Sequence, residues 1–212
     1  MRSWASNAIF GASRRESLIR VGLVVVLAGL LLWGLPVRRP GEDGGHHATP
    51  ALDPFEKAGV VELKEGQPAP GFSLLTLGGG RAALADHRDK LVVLNFWATW
   101  CQPCLLEMPS LEALWQRYRD RGLVVLAVSI DRGTPKALLE PYVQNLKLTF
   151  PILLDPEAKT SGRWRVTAIP ATFLVLPGGD VTGLAMGARE WNSQEMRTLV
   201  ERLLPSGAHT HR

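Results

Sequence analysis

The stretch LVVLNFWATWCQPC, Leu91 to Cys104, decides the fold of this chain. Its first seven residues, Leu91 to Trp97, are almost wholly apolar, which is typical of a strand that is covered on both faces. The stretch ends in Cys101 and Cys104, the only two cysteines among 212 residues. Because a helical pattern of apolar residues follows, Cys101 is expected at the N-terminus of a helix. The sequence therefore predicts a strand, a C-x-x-C motif and a helix in direct succession.

Two cysteines in this setting are suited to redox chemistry. The unpaired N–H groups and the positive end of the dipole at a helix N-terminus favour a thiolate, which lowers the pKa of Cys101 and makes it the nucleophile. Cys104 follows one turn later, close enough to attack a mixed disulfide and release the partner. Pro103 fits an early helical position, where its missing N–H costs nothing. The pattern indicates a redox-active disulfide between Cys101 and Cys104.

Other uses of the cysteines fit the sequence less well. A structural disulfide that closes so small a loop would constrain the unfolded chain little. A zinc site needs four ligands, and the sequence has neither a second C-x-x-C nor a histidine nearby. Four of the five histidines lie in polar segments near the ends of the chain and are interpreted as solvent-exposed side chains: His46, His47, His209 and His211.

Strands and helices alternate on both sides of the motif. Apolar residues recur at helical spacing up to Tyr118, and Gly122 is expected to end that helix. Leu123 to Ile130 is a second buried strand, which completes a βαβ unit. On the N-terminal side, Phe72 to Leu77 and Arg81 to Leu84 flank three glycines and predict a β-hairpin. A second hairpin is expected towards the C-terminus, followed by a closing helix for which Asn192 and Glu195 form a capping box. The sequence therefore predicts an α/β domain.

The basic character of the chain is confined to its N-terminus. The overall pI is 9.4, but six arginines precede Pro40, and 18 basic and 19 acidic residues follow from there on. This near-neutral remainder gives no support to nucleic-acid binding, which needs clustered positive charge. Val21 to Val37 has no charge over 17 residues, and arginines are denser before this run than after it. The pattern predicts a transmembrane anchor with the N-terminus in the cytoplasm.

Five segments are expected from these observations. A cytoplasmic segment spans residues 1–17, the anchor 18–37, a flexible linker rich in Gly, Pro and His 38–66, the α/β domain 67–205 and a flexible tail 206–212. A cleaved signal peptide is the alternative to an uncleaved anchor, but no A-x-A-like site ends the apolar run. The domain is therefore placed on the outer, periplasmic side of the cytoplasmic membrane.

The motif and its surroundings resemble a known family. F-W-A-T-W-C-x-P-C followed by E-x-P is similar to the thioredoxin-like proteins of the TlpA, ResA and CcmG group, which are membrane-anchored thiol–disulfide oxidoreductases. The resemblance runs from about Gly66 to Leu204 and includes A-P-G-F-S-L at Ala69 and V-T-A-I-P-A-T-F-L-V at Val166. It implies a thioredoxin-like fold, with a central mixed sheet flanked by helices and an N-terminal β-hairpin.

The resemblance also implies roles for individual residues. Ile169-Pro170 is expected to be a cis peptide bond that faces the cysteines, where the backbone of Ile169 can pair with an extended substrate. Trp100 and Pro103 are expected to contact that substrate as well. Asn95 stands where cytosolic thioredoxins carry a buried aspartate, and an amide cannot exchange a proton. Glu107, three residues past Cys104 on the same helical face, matches a glutamate of the group and is expected to help deprotonate Cys104.

The function expected from this resemblance is disulfide reduction in cytochrome c maturation. The partners would be an apocytochrome c, whose haem-attachment cysteines are kept reduced, and a thiol-electron donor in the membrane. No organic cofactor or metal is required. Two alternatives remain open: a thiol peroxidase of the peroxiredoxin class, although the usual P-x-x-x-T/S-x-x-C setting is missing, and a copper-handling module that uses Cys101, Cys104 and Met108.

Overall fold

The computed structural model describes residues 22–29, 52–133 and 136–205. The chain divides into two units, Met1–Pro50 and Ala51–Arg212. In the first unit, residues 22–29 are helical. Within these described ranges, no helix is long and apolar enough to cross a membrane. The predicted cytoplasmic segment, most of the predicted anchor and the predicted C-terminal tail lie outside the described residues.

The second unit contains all the strands of the described residues. In chain order its elements are α1 (Pro54–Lys57), β1 (Val61–Pro68), β2 (Ser73–Thr76), β3 (Arg81–Ala83), β4 (Leu91–Trp97), α2 (Gln102–Tyr118), β5 (Leu123–Ser129), α3 (Lys136–Asn145), β6 (Ile152–Leu154), α4 (Lys159–Arg163), β7 (Ala171–Val175), β8 (Asp180–Met186) and α5 (Gln194–Leu203). Two single turns of 3₁₀ helix lie at Leu84–His87 and Arg119–Arg121.

The eight strands form one mixed sheet, in the order β1-β8-β7-β4-β5-β6-β2-β3. The β4–β5 and β5–β6 pairs are parallel, and every other pair is antiparallel. The expected hairpin is present as β2 and β3, with Ser73 opposite Ala83. This architecture confirms the predicted thioredoxin-like α/β class with a mixed sheet.

The centre of the sheet is the predicted βαβ unit. β4 and β5 are buried along their whole length and run in parallel register from Leu91 opposite Leu123 to Trp97 opposite Ser129. α2 connects them. Gly122 has a φ of 90°, in the left-handed region that glycine adopts without a steric penalty, and the helical segment ends there as predicted. The C-terminal end of β4 therefore delivers the C-x-x-C motif to the first turn of α2.

Alternate residues of the central strands supply two separate hydrophobic clusters. Side chains of β4 such as Val93 and Trp97 pack with α2 and α5, in the cluster that also contains both cysteines. Their neighbours, such as Leu94 and Phe96, pack on the opposite face with Trp164. A strand directs successive side chains to opposite faces of its sheet, which explains the division. The redox motif thus belongs to the face of the sheet that α2 covers.

The prediction of a flexible linker over residues 38–66 is wrong from Pro54 onwards. α1 buries Phe55, and β1 begins at Val61, within the predicted linker. β1 pairs antiparallel with β8 at the edge of the sheet, although the register shifts between Glu62 and Gln67. A strand on the edge needs only one partner and tolerates irregular composition, so its pairing depends on tertiary contacts that leave no periodic pattern in the sequence.

Candidate active site

The two cysteines lie at the start of α2 and are joined by a disulfide. Cys101 is the N-cap residue, and its Sγ accepts a hydrogen bond of 3.3 Å from the backbone N–H of Cys104. The two Cα atoms are 5.3 Å apart. Pro103 lies in the first turn of the helix, where it removes a donor that would have no partner. The structure therefore places the sulphur of Cys101 against the N–H groups of the first turn, as the sequence predicts.

The cysteines differ in how far a partner can reach them. Cys104 is completely buried, whereas Cys101 keeps 6% of its surface exposed in the disulfide form. Only Cys101 is therefore open to a sulphur atom of another molecule. The other neighbours of Cys104 belong to the hydrophobic cluster beneath α2. Cys104 can therefore release a partner only by attacking the sulphur of Cys101 after that partner has bonded to it.

Exposed apolar residues lie near the cysteines in sequence. Trp100, next to Cys101, is 68% exposed, and Leu106 on α2 is 69% exposed. Pro103, between them in sequence, is also exposed. The exposed Trp100, which directly precedes the reactive cysteine, is available for contact with another protein. Trp97, in contrast, is completely buried and belongs to the core.

Ile169-Pro170 is a cis peptide bond, as the resemblance implies. The next residue, Ala171, begins β7 opposite Phe96 near the end of β4. This register brings the cis-proline loop to the same edge of the sheet as the loop that carries Cys101. Ile169 packs against the hydrophobic cluster to which both cysteines belong.

Glu107 is buried on the same face of α2 as Cys104, with only 2% of its surface exposed. Three donors surround its carboxylate. The side chain of Asn95 donates to Oε1 at 2.8 Å, while the indole Nε1 of Trp191 and the backbone N–H of Arg189 donate to Oε2 at 3.0 and 3.2 Å. Asn95 also donates to Oγ1 of Thr172 at 2.9 Å. The structure thus brings together Asn95 and Glu107, which were singled out from the sequence.

Burial raises the pKa of the Glu107 carboxyl above its ordinary value of 4.5, because removal from water disfavours the charged form. The hydrogen bonds from Trp191, Asn95 and the Arg189 backbone oppose this shift and lower the pKa. The charge of the Arg189 guanidinium, which lies over the Trp191 ring, lowers it further. The result is a buried carboxyl that can accept a proton at a pH closer to neutrality than an exposed glutamate can.

A second buried carboxylate holds the loop that precedes Cys101. Asp131, which follows β5, accepts hydrogen bonds from the backbone N–H of Thr99 at 3.1 and 3.2 Å and from its hydroxyl at 2.6 Å. The hydroxyl of Ser129 donates to the same carboxylate at 2.7 Å. Asp131 is only 4% exposed. These contacts fix the backbone at Thr99, two residues before the reactive cysteine.

Asp131, Trp191 and Thr172 were not predicted as site residues from the sequence. For Asp131 a signal existed, since β4 and β5 are neighbouring parallel strands and residues that follow such strands meet at one edge of a sheet. Trp191 and Thr172 offered no such signal. They lie 84 residues from Glu107 and 77 residues from Asn95, respectively, and only the folded chain brings them together.

Comparison with known proteins agrees with this geometry. A model of the AhpC/TSA family matches residues 65–183. The thiol–disulfide oxidoreductase ResA of Geobacillus kaustophilus is 39% identical over 122 residues, which is 58% of this chain and 69% of that protein. ResA of Bacillus subtilis is 33% identical over 130 residues, 61% of this chain and 72% of that protein.

Solved structures show the same fold. A thiol:disulfide interchange protein DsbE, described as putative, from Chlorobium tepidum superposes with a TM-score of 0.60 at 26% identity, covering 66% of this chain and 97% of that chain. A putative protein disulfide isomerase from Bacteroides thetaiotaomicron gives a TM-score of 0.58 at 27% identity, covering 72% and 96%. Together with the matched family model and the redox motif at the start of α2, these similarities show that the chain belongs to the AhpC/TSA family and is a ResA-like thiol–disulfide oxidoreductase with a thioredoxin-like fold.

Proposed function

We propose that this protein reduces disulfides of other proteins outside the cytoplasmic membrane, in the maturation of cytochrome c. One observation carries the choice of reacting atoms: Cys101 at the N-terminus of α2 keeps 6% of its surface exposed and is bonded to Cys104, which is completely buried. The first sulphur can meet a substrate, and the second can act only after the first has reacted. The structure contains the oxidised form, which is the product of one reducing turnover.

The reaction begins with both cysteines reduced. The Cys101 thiolate attacks one sulphur of the substrate disulfide, and the other substrate sulphur leaves as a thiolate and takes up a proton. Cys104 then loses its proton and attacks Cys101 in the mixed disulfide. The second substrate sulphur leaves and is protonated, and the Cys101–Cys104 disulfide forms. Two electrons and two protons pass to the substrate, and a dithiol of another protein must return them before the next cycle.

Glu107 is proposed to accept the proton from Cys104. The two residues are one turn apart on the buried face of α2, and Asn95, which stands next to Glu107, cannot serve as the base. Burial raises the pKa of Glu107, and a base is most effective when its pKa is near the working pH.

The substrate is proposed to be an extended polypeptide that crosses the loop at Ile169-Pro170. In this proposal the backbone of Ile169 pairs with the polypeptide, while Trp100 and Pro103 contact its side chains. The exposure of Trp100 and the shared sheet edge of the two loops support this placement. The substrate in cells is proposed to be an apocytochrome c, which follows from the resemblance to the TlpA, ResA and CcmG group.

Residues 18–37 are proposed to anchor the protein in the cytoplasmic membrane, as a single span with the thioredoxin-like domain on the periplasmic side. The uncharged run and the arginines before it support this orientation. An anchor raises the local concentration of membrane-bound partners. It would therefore favour thiol–disulfide exchange with the thiol-electron donor in the membrane, which reduces Cys101 and Cys104 again.

The test uses the full-length protein in detergent, first reduced and then offered insulin, a disulfide-bonded apocytochrome c, hydrogen peroxide or Cu(I) in separate reactions. We expect both protein disulfides to be reduced and Cys101–Cys104 to become oxidised. Turnover of peroxide without reduction of protein disulfides would favour the peroxidase alternative. Tight Cu(I) binding without reductase activity would favour the copper-handling one. Thiol trapping in intact cells gives the direction, since a reductase should be found mostly reduced.

A further inference from the structure

A groove of about 590 Å³ lies on the face of the sheet opposite to α2. Its floor includes Trp164 and Phe173, whose rings are 4.8 Å apart. The alternation of β7 defines the face: the side chain of Thr172 contacts Asn95 on the α2 side, so that its neighbours Ala171 and Phe173 point the other way. None of the residues assigned to the redox reaction lines this groove.

The groove nevertheless reaches the end of the sheet where the cis-proline loop and the loop that carries Cys101 lie. Thr167 and Ala171, which line it, flank Ile169-Pro170 in sequence. Met186, also in the lining, is 44% exposed and pairs with Ala171 at the end of β8. The cis-proline loop and the groove are therefore adjacent.

The charged side chains that line the groove are arginines. Arg163 and Arg165 line it, and among the described side chains no aspartate or glutamate does. Both arginines are exposed, and within the described part of the chain neither forms an ion pair; Arg163 makes only a long hydrogen bond of 3.5 Å to Thr160. Arg165 has a φ of 53°, a conformation that non-glycine residues adopt uncommonly. Two guanidinium groups beside an apolar floor complement an acidic side chain that is flanked by apolar ones.

We propose that this groove, lined by Arg163 and Arg165, binds the substrate polypeptide beyond the cis-proline loop. It selects a substrate that has an acidic side chain near the cysteine that Cys101 attacks. The proposal rests on the proposed reductase function and adds a substrate preference to it. Along β8 the groove runs from Val181 to Met186, which is about 17 Å at roughly 3.3 Å per residue. The acidic residue should therefore lie within about five residues of the cysteine.

The experiment measures kcat/KM of the full-length protein, kept reduced by a dithiol, with disulfide-linked peptide dimers. The peptides are identical except for one position, two to five residues before or after the cysteine, which holds Glu, Gln or Lys. At low salt we expect the best Glu peptide to exceed its Gln counterpart by roughly fivefold, and the Lys peptide to be the poorest substrate. The differences should shrink as salt is raised, because exposed charges are screened.

Three variants test whether the groove is the cause. The double variant R163Q/R165Q should lose the preference for Glu over Gln. The variant M186E should reverse it in favour of Lys, since a carboxylate then stands at the mouth of the groove. The matched control R119Q removes the same charge from an exposed arginine beyond the end of α2 and should keep the preference.

Several results would overturn the inference. Equal kcat/KM values for the Glu, Gln and Lys peptides would do so, as would an equal loss of preference in the R119Q control. A dimer in solution that R163Q/R165Q dissociates would mean that a second copy of the chain occupies the groove. Failure of the wild-type protein to reduce any of the peptides would remove the proposed reductase function, and the substrate preference with it.

Discussion

Asn95 in β4 donates a hydrogen bond of 2.8 Å to Oε1 of Glu107 on α2, and both side chains are buried. An aspartate at position 95 would face Glu107 with the same charge, and two carboxyl groups this close do not both ionise readily. The asparagine amide instead favours the ionised glutamate. Position 95 thus stabilises the charge of Glu107 while leaving the exchange of the proton to Glu107 alone.

The first prediction concerns the variant E107Q. Without a carboxylate to take the proton of Cys104, release of the mixed disulfide should slow by on the order of 10²-fold. The attack of Cys101 on the substrate should change little, so the mixed disulfide should accumulate and be trapped by acid quench. The control E112Q makes the same change about 8 Å further along α2 and should release at the wild-type rate. An unchanged pH dependence of Cys104 reactivity in E107Q would contradict the role.

Stability should also respond to Glu107, with a defined sign. Burial raises the pKa of this carboxyl above its ordinary value of 4.5, so the folded state binds the proton more tightly than the unfolded state does. Between the ordinary and the raised pKa, the free energy of unfolding contributed by this group falls as pH rises. The variant E107Q has no carboxyl group at this position, so its free energy of unfolding does not fall in this way as pH rises. We therefore expect the Tm of E107Q, relative to wild type, to increase as the pH is raised through that window.

In the variant E107Q, the glutamine amide can form hydrogen bonds with the groups that surround the carboxylate of Glu107. Within the described part of the chain, Oδ1 of Asn95 has no partner, and rotation of the Asn95 amide would present this oxygen to the new NH₂ group. The remaining oxygen at position 107 can still accept from Trp191. The fold should therefore be retained, and circular dichroism of E107Q should match that of the wild type.

A third prediction separates Trp191 from the other donors to Glu107. The variant W191F removes the indole N–H that lowers the pKa of Glu107 but keeps an aromatic ring beneath Arg189. The pKa of Glu107 should rise, so the acid limb of the pH–rate profile for mixed-disulfide release should move to higher pH. The lost volume should also destabilise the fold by about 1–3 kcal/mol.

The control for W191F is W164F. Trp164 is buried as well and donates one hydrogen bond, of 3.0 Å, to the carbonyl of Pro70, but it lies on the other face of the sheet. Its loss should cost similar stability and leave the midpoint of the acid limb in place. An equal movement of that midpoint in both variants would assign the effect to loosened packing instead of the hydrogen bond.

The sequence was most informative where local signals and burial agree. β4, α2 and β5 combine two apolar runs, a helical period and a glycine stop, and all three elements were predicted. The first turn of α5 was predicted less well. Asn192 with Glu195 suggests a capping box, but the observed N-cap is Ser193, whose hydroxyl accepts a hydrogen bond from the N–H of Met196. Several residues that favour an N-cap stand side by side there, and their order alone does not decide among them.

In the candidate site, too, some relationships are visible in the sequence and others arise only in the folded chain. Cys101, Cys104 and Glu107 share one helix, so their spacing is visible in the sequence. The partners of Glu107 come from two other places in the chain, β4 with Asn95 and the loop with Arg189 and Trp191, and only the folded chain brings them to α2. The cis peptide at Ile169-Pro170 followed from family resemblance, since an X–Pro bond alone is cis in only about 5–6% of cases.

A fourth prediction tests whether Asp131 positions Cys101. The variant D131A leaves the N–H of Thr99 without its acceptor and should lower the free energy of unfolding by about 1–3 kcal/mol. It should also reduce the rate of attack by Cys101 by roughly tenfold, because the loop is no longer fixed. The variant D131N keeps one oxygen for the N–H, and the hydroxyls of Thr99 and Ser129 can turn to accept from its amide. D131N should restore most of the rate, and D131A should remain slow even at temperatures where it is fully folded.

The last prediction tests the docking of α1 and β1, which the sequence did not reveal. Gly183 in β8 approaches this segment so closely that a Cβ atom would lie 2.9 Å from Cγ1 of Val60 and 3.2 Å from the ring of Phe55. The variant G183A should therefore lose about 1–3 kcal/mol of stability. The control G71A adds a methyl group where nothing lies within 4 Å and should leave the Tm nearly unchanged.

A double-mutant cycle tests whether Val60 is the residue with which the added methyl group clashes. V60A alone should destabilise the protein because it opens a cavity, but in its background the closest contact of the added methyl group at Gly183 is removed. We expect the two changes together to cost clearly less than the sum of their separate effects, by about 0.5–3 kcal/mol, as for residues in direct contact. Additive effects in urea unfolding would mean that Val60 does not pack on β8, and that the residues before Val61 are the free linker expected from their composition.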